Sequence, residues 1–178
     1  EDYADTELPV KIYLFQGLPK SDKMEYIIQK CVELGVFSII PVRMKHCIVK
    51  LDDKKAKSKQ TRWQSISESA AKQSKRNIIP EIMDVCSFDE ALNFAKTLDL
   101  IMVPYENAEE MASTIENLSY LKNVKSVGIF IGPEGGFEKK EIEKALASGA
   151  TTISLGRRIL RTETAAIIAV GACMLNIE

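Results

Sequence analysis

Two segments near the C-terminus carry the residue types and spacing best suited to chemistry: Ile131-Gly132-Pro133-Glu134-Gly135-Gly136-Phe137, and Leu155-Gly156-Arg157-Arg158-Ile159-Leu160-Arg161-Thr162-Glu163-Thr164-Ala165. Each follows a short apolar, β-prone run and precedes a helical pattern. Two strand-to-helix turns are therefore expected to face one another at the carboxyl edge of a parallel sheet, where open α/β folds take their ligands. Glycine leaves no Cβ between backbone and ligand, so peptide N–H and C=O groups can come up against a flat heterocycle. The plainer alternative for residues 132–136 is a tight turn before a helix. No Lys-Ser or Lys-Thr follows these glycines and the spacing is not Gly-x-Gly-x-x-Gly, which argues against a P-loop or a dinucleotide fingerprint. In the second segment Arg161, Thr162 and Glu163 stand where a strand end meets a helix start. Their local reading makes Thr162 an N-cap, lets Glu163 complement the helix dipole, and pairs Arg161 with Glu163 or Glu134.

These segments need elements to hold them. Residues 12–15 form an apolar strand, and Asp22 with Glu25 fits a capping box opening a helix in which Met24, Ile27, Ile28 and Cys31 recur at helical spacing before Gly35. Residues 36–40 return as a strand, giving a βαβ start and hence a parallel sheet. A long helix is expected over residues 57–75, with Trp63, Ile66 and Ala70 facing the core and Ser69, Lys72 and Arg76 on another stripe. Apolar strands follow at 98–103 and 127–131, a helix at 138–147 closed by Gly149, and a strand at 151–155. The last helix, from Glu163 to about residue 175, is apolar nearly all round, which requires burial within its own subunit or partly against a second chain. The first ten residues read as a linker or frayed end, and residues 11–178 as one domain.

Composition sets the class. A chain of 178 residues that is 46% hydrophobic has the material for one substantial core. No apolar run reaches the roughly 20 residues that span a bilayer, and the acidic start lacks the basic and apolar regions of a signal peptide, so a cytoplasmic protein without membrane contact is expected. Cys31, Cys47, Cys86 and Cys173 lack Cys-x-x-Cys spacing and His46 is the sole histidine, so neither zinc nor a disulfide framework is indicated. The net charge of −1 hides an asymmetry: between Arg43 and Arg76 stand eleven Lys/Arg against three Asp/Glu. Such a block suits a polyanion-facing surface, or else a solvated lysine-rich helix.

Both glycine-bearing segments, with Trp63, Glu68, the run Ala70-Ala71-Lys72-Gln73-Ser74-Lys75-Arg76 and Pro80, resemble the RsmE-type uridine N3-methyltransferases of small-subunit ribosomal RNA. The resemblance runs from about Lys11 to the end. It implies an α/β fold, a mostly parallel sheet flanked by helices, of SPOUT type with a C-terminal trefoil knot; no periodicity in the sequence reveals the knot. It implies S-adenosylmethionine as cofactor, without metal, and a homodimer acting on ribosomal RNA of the small subunit. Family members usually carry an N-terminal PUA-like barrel, which this sequence lacks.

Carried over by position, the cofactor would lie against Ile131, Gly132, Pro133, Glu134, Gly135 and Gly136. It would also meet Leu155, Gly156, Ile159, Leu160, Arg161, Thr162, Thr164 and Ala165, with a third loop at Pro104, Tyr105, Glu106 and Asn107 completing the pocket. Uracil N3 becomes nucleophilic only as its proton departs, leaving charge on O2 and O4, and a fixed guanidinium at Arg161 would stabilise that charge. Neither Glu134 nor Glu163 stands out as the base, which stays unassigned. The resemblance assigns RNA contacts to Lys72, Gln73, Ser74 and Arg76, with Arg43 as an addition; the local reading is a helix C-terminus favoured by basic residues. His46 occupies a position where the family commonly has Arg, so one fixed positive charge is expected to be missing. Methylation elsewhere on RNA, such as at a ribose 2′-oxygen, and a non-catalytic RNA-binding or ribosome-assembly module are the alternatives.

Overall fold

The computed structural model describes residues 5–105 and 111–178. Its centre is a parallel sheet of β1 (Lys11–Gly17), β2 (Ser38–Arg43), β3 (Glu81–Ile82), β4 (Cys86–Ser87), β5 (Leu100–Pro104), β6 (Ser126–Ile131) and β7 (Thr151–Ile153). The order across the sheet is β3-β2-β1-β6-β5-β7, with β4 also pairing with β2. β3 meets Ser38 and Ile39 while β4 meets Val42 and Arg43, so the two act as one interrupted edge strand. The central strands read as near-continuous apolar runs because helices cover both faces.

Alternation along β1 sends Ile12, Leu14 and Gln16 to one face and Tyr13 and Phe15 to the other. On the first face lie α1 (Lys23–Glu33), α2 (Asp53–Gln73) and α6 (Thr162–Ile177); α1 packs on α2 and α6, and α6 on β1 and β6. On the second lie α3 (Phe88–Ala95) and α5 (Lys139–Ala147), joined through Lys144 and Asp89 at 2.9 Å. There Phe15 stacks on Phe130 with ring centres 4.4 Å apart, Phe94 tilts against Phe15, and Phe88 meets Phe130 edge-on. α4 (Met111–Tyr120) packs on β7 and α6, and a short 3-10 turn (Leu121–Asn123) leads into β6.

The order reverses between β1 and β6. Connections from these neighbours leave in opposite directions, opening a crevice outside their carboxyl ends. After β7 the chain returns across the sheet to lay α6 against β1, β6 and α1.

Local structure corrects several expectations. α1 begins where expected, but Asp22 makes no side-chain cap and Glu25 is drawn away by Arg62, which donates to it at 3.0 Å. Its end is as read: Gly35 adopts φ +95° and Val36 N–H reaches back to Cys31 O. α2 starts four residues earlier than expected, because Asp52 supplies a true N-cap to Lys55 N–H, and it ends at Gln73, so Arg76 is no longer on the helix. Thr162 is the first residue of α6 rather than its cap. The described part of the expected linker, residues 5–10, is fastened down: Val10 is buried, Leu8 packs against Gly35, and Glu7 binds Arg76. Residues 1–4, Glu106 and Asn107 lie outside the described residues. The pair β3 and β4, α3 and α4 were not anticipated, since each is too short or too mixed to show a period.

Candidate functional site

The crevice holds a cavity of about 450 Å³ walled by the loops that follow β5, β6 and β7 and by the start of α1. Of the described residues expected to hold a cofactor, all but one line it; Thr164 is the exception, exposed on α6 away from the cavity. Lys23, Phe137 and Arg158 join the lining without having been singled out beforehand. Lys23 was missed because it is far from the glycine loop in the chain, and only the β1–β6 adjacency brings the start of α1 beside it.

The glycine loop is fixed from four sides. Gly136 takes φ +70°, left-handed backbone that a side chain strains to adopt, and its N–H closes a turn on Pro133 O at 2.8 Å. Thr162 Oγ1 donates to Gly132 O at 2.7 Å while accepting from the amide of buried Gln16 at 2.9 Å, so the residue read as a cap instead ties β1, β6 and α6 together. Lys20 N–H donates to Glu134 Oε1 at 2.7 Å. Lys23 lies 3.5 Å from Glu134 and 3.7 Å from Glu163.

The fourth tether is His46. Its Nδ1 lies 3.0 Å from Gly135 O and 3.2 Å from Gly136 O, and because carbonyls only accept, the ring must carry its proton on Nδ1. A Cβ at Gly135 would sit 2.9 Å from His46 Cβ. His46 is thus a clamp on the glycine-loop backbone, a role that no spacing in the sequence discloses.

Burial alone would raise the Glu134 carboxyl. The Lys20 N–H, its own backbone N–H and Lys23 more than offset this and hold it below the usual carboxylate range. A carboxylate so tethered makes a poor proton acceptor. Arg161 makes no ion pair with Glu134 or Glu163 among the described residues; Lys23 takes that place, leaving the Arg161 guanidinium on the cavity wall.

The cavity suits S-adenosylmethionine. Its volume is in the range of small-molecule sites, Ile131, Leu155, Leu160 and Ala165 offer apolar wall to an adenine, glycine backbone offers polar groups, and Lys23, Arg158 and Arg161 offer cations to a carboxylate. Among the described residues no group of three His, Cys, Asp or Glu side chains could hold a metal ion, and no helix is long and apolar enough to cross a membrane.

The residues expected to hold RNA are placed differently. Arg76 turns inward: its side chain is 4% exposed, paired with Glu7, and donates to Val36 O at 2.6 Å and Val32 O at 3.2 Å. This removes it from any RNA-facing stripe, because α2 has ended and Lys75, at φ +58°, redirects the chain. Ser74 bonds back to Ala70 O, Arg43 reaches Leu51 O and Asp53 at 3.4 Å, and Lys72 and Gln73 stay exposed.

Residues 6–174 match the family model described as RNA methyltransferase domain. The chain is 44% identical over 175 residues to the ribosomal RNA small subunit methyltransferase E of Bacillus subtilis, covering 97% of this chain and 68% of that relative. Two solved structures align over nearly all of it. One is a putative methyltransferase from Legionella pneumophila with bound S-adenosylmethionine (35% identity, TM-score 0.88, 96% of this chain and 68% of that one). The other is a ribosomal RNA small subunit methyltransferase E from Neisseria gonorrhoeae, also bound to S-adenosylmethionine (35%, TM-score 0.84, 98% and 69%).

Proposed function

We propose, from the premise that this chain belongs to the RNA methyltransferase family in its small-subunit methyltransferase E branch, that it methylates N3 of a uridine in 16S ribosomal RNA. It is an S-adenosylmethionine-dependent methyltransferase acting on small-subunit ribosomal RNA. The N3 position is our reading. The observation that carries it is a cavity shared by both glycine-bearing loops whose wall, among the described residues, presents three cations, Lys23, Arg158 and Arg161, against a single carboxylate, Glu134, that is tied down.

When bound, the cofactor supplies an electrophilic methyl group on a sulfonium. The chain's part is to hold and polarise. Backbone groups of residues 132–136, fixed by Thr162 and His46, would seat it, and Leu155 and Leu160 would exclude water from its apolar part. Uracil N3 gains a lone pair for attack only as its proton leaves. A guanidinium and an ammonium facing O2 and O4 favour that anion and lower the cost of ionisation, which suits an imide better than a ribose hydroxyl with no adjacent carbonyls.

The enzyme would act as a homodimer in the cytoplasm, without metal. Support for the dimer comes from Ile159, Ile168 and Leu175, which are 90%, 48% and 74% exposed in the single chain. On the same reading the return of α6 across the sheet is the threaded end of the superfamily's trefoil.

Nucleoside analysis of 16S ribosomal RNA after incubation with the chain and labelled cofactor tests the assignment. Label in 3-methyluridine is the expected result. Label in a 2′-O-methylated nucleoside would move the chain to the other chemistry, and cofactor binding with no transfer to any RNA would leave a binding module.

A further inference from the structure

We infer that the RNA backbone crosses a cationic rim at the carboxyl edge of the sheet, formed by Lys20, Lys45, Arg157 and Arg158, and does not run along the end of α2 that the sequence points to. The inference rests on the methyltransferase reading above, in which one base enters the cavity. A base that leaves its strand for a pocket carries its two flanking phosphates to the mouth of that pocket. The cations that hold them must therefore stand at the rim.

Two ends of one helix decide where the rim is. Asp53, the first residue of α2, lies 3.4 Å from Arg43 at the carboxyl end of β2, on the cavity side. At the other end Arg76 reaches Val32 O and Val36 O, just before β2 begins. The 21 residues of α2 therefore place Lys72 about 30 Å along the helix from the cavity edge, with Lys75 just past the helix end. Phosphates flanking an entering base cannot be held from there.

The cavity edge carries its own free cations. Lys20 is anchored by its backbone to Glu134 on the glycine loop, and Lys45 by its backbone to Glu141 at 3.1 Å, next to the His46 clamp. On the facing wall stands Arg158, with exposed Arg157 next to it in a loop turned by Gly156 at φ +108°. All four side chains are exposed, and among the described residues none forms an ion pair. The neighbouring acids are already engaged: Glu134 and Glu163 by Lys23, and Glu141 by the Lys45 and Glu138 N–H groups. Both walls of the mouth thus present positive charge without an ion-pair partner beside carboxylates already engaged elsewhere, which suits phosphates passing on either side of an inserted base.

The test compares two variants of the full chain by fluorescence anisotropy with a labelled single-stranded RNA over a salt series. Lys20→Ala with Lys45→Ala and Arg157→Ala should weaken RNA binding at least tenfold and flatten the log–log salt slope by about two units, at roughly 0.7 per lost contact. Lys72→Ala with Lys75→Ala should change neither. Cofactor affinity, read by calorimetry, should be unaltered in both and serves as the check on folding. A flattened slope in the Lys72 and Lys75 variant, or an unchanged slope in the rim variant, overturns the inference. Failure of the methyltransferase reading shows separately, as no label passed to RNA by the unsubstituted chain.

Discussion

The residue with the largest gap between its sequence reading and its structural role is His46. Read as a lost positive charge for RNA, it instead donates from Nδ1 to two carbonyls of the glycine loop that walls the cavity. Two adjacent glycines are costly to order, and a shared hydrogen bond offsets part of that cost before any ligand arrives. His46→Ala should therefore raise the dissociation constant for S-adenosylmethionine about tenfold, equivalent to roughly 1.4 kcal/mol. His46→Asn, whose amide reaches a similar point, should recover most of it. Calorimetry reads both; unchanged cofactor affinity with weakened RNA binding would return His46 to the RNA role. Gly135→Val should also lose cofactor affinity, because its side chain would meet His46 at 2.9 Å and push the two loops apart. Cofactor binding equal to that of the unsubstituted chain would show that the clamp tolerates displacement.

At the scale of elements, an ion pair between distant parts of the chain, Glu7 with Arg76, helps Leu8 and Val10 hold the segment before β1. Arg76 is nearly enclosed, and Glu7 also accepts from the N–H groups of Asn77 and Ile78. Burial pushes the Glu7 carboxyl up, but Arg76 and these two N–H groups more than compensate, so it is held below 4.5. A carboxyl with a depressed folded-state value stabilises the fold fully above its unfolded-state value, and that contribution is lost as pH falls through the folded-state value. Glu7→Ala leaves a buried guanidinium unpaired and should cost about 3 kcal/mol at neutral pH. Urea unfolding across pH checks it: the unsubstituted chain should lose stability on acidification below about 4.5 more steeply than the variant. Parallel pH profiles would show that the pair carries no such coupling.

For the whole molecule, the open question is what covers α6. Its buried side is settled by Ala166, Ala169, Val170 and Cys173 against the sheet and α1, while Ile168 and Leu175 face out. The proposed dimer would bury them. Sedimentation should give a dimer at micromolar concentration, and Leu175→Glu, at a position 74% exposed in the single chain, should shift it to monomer without unfolding it. A monomeric unsubstituted chain would remove the dimer from the proposal.

Sequence by itself determined what is local or periodic. Apolar runs placed β1, β5 and β6, helical spacing placed α1, and the Gly35 stop is a backbone requirement legible in one residue. The glycine-bearing segments were legible as candidate ligand loops for the same reason, their chemistry being their own backbone, and the fold brings both to one cavity. Only tertiary structure decided which cations belong to the site, since this depends on strand order. Placing β1 beside β6 brought Lys23 and Lys20 to the glycine loop, and the length of α2 carried Lys72 away from it. Arg76 and His46 show the limit at single residues: a charge reads the same in sequence whether it faces solvent, pairs with a carboxylate 69 positions earlier, or holds a carbonyl 89 positions later. Those distances are closed by packing, which no local pattern encodes.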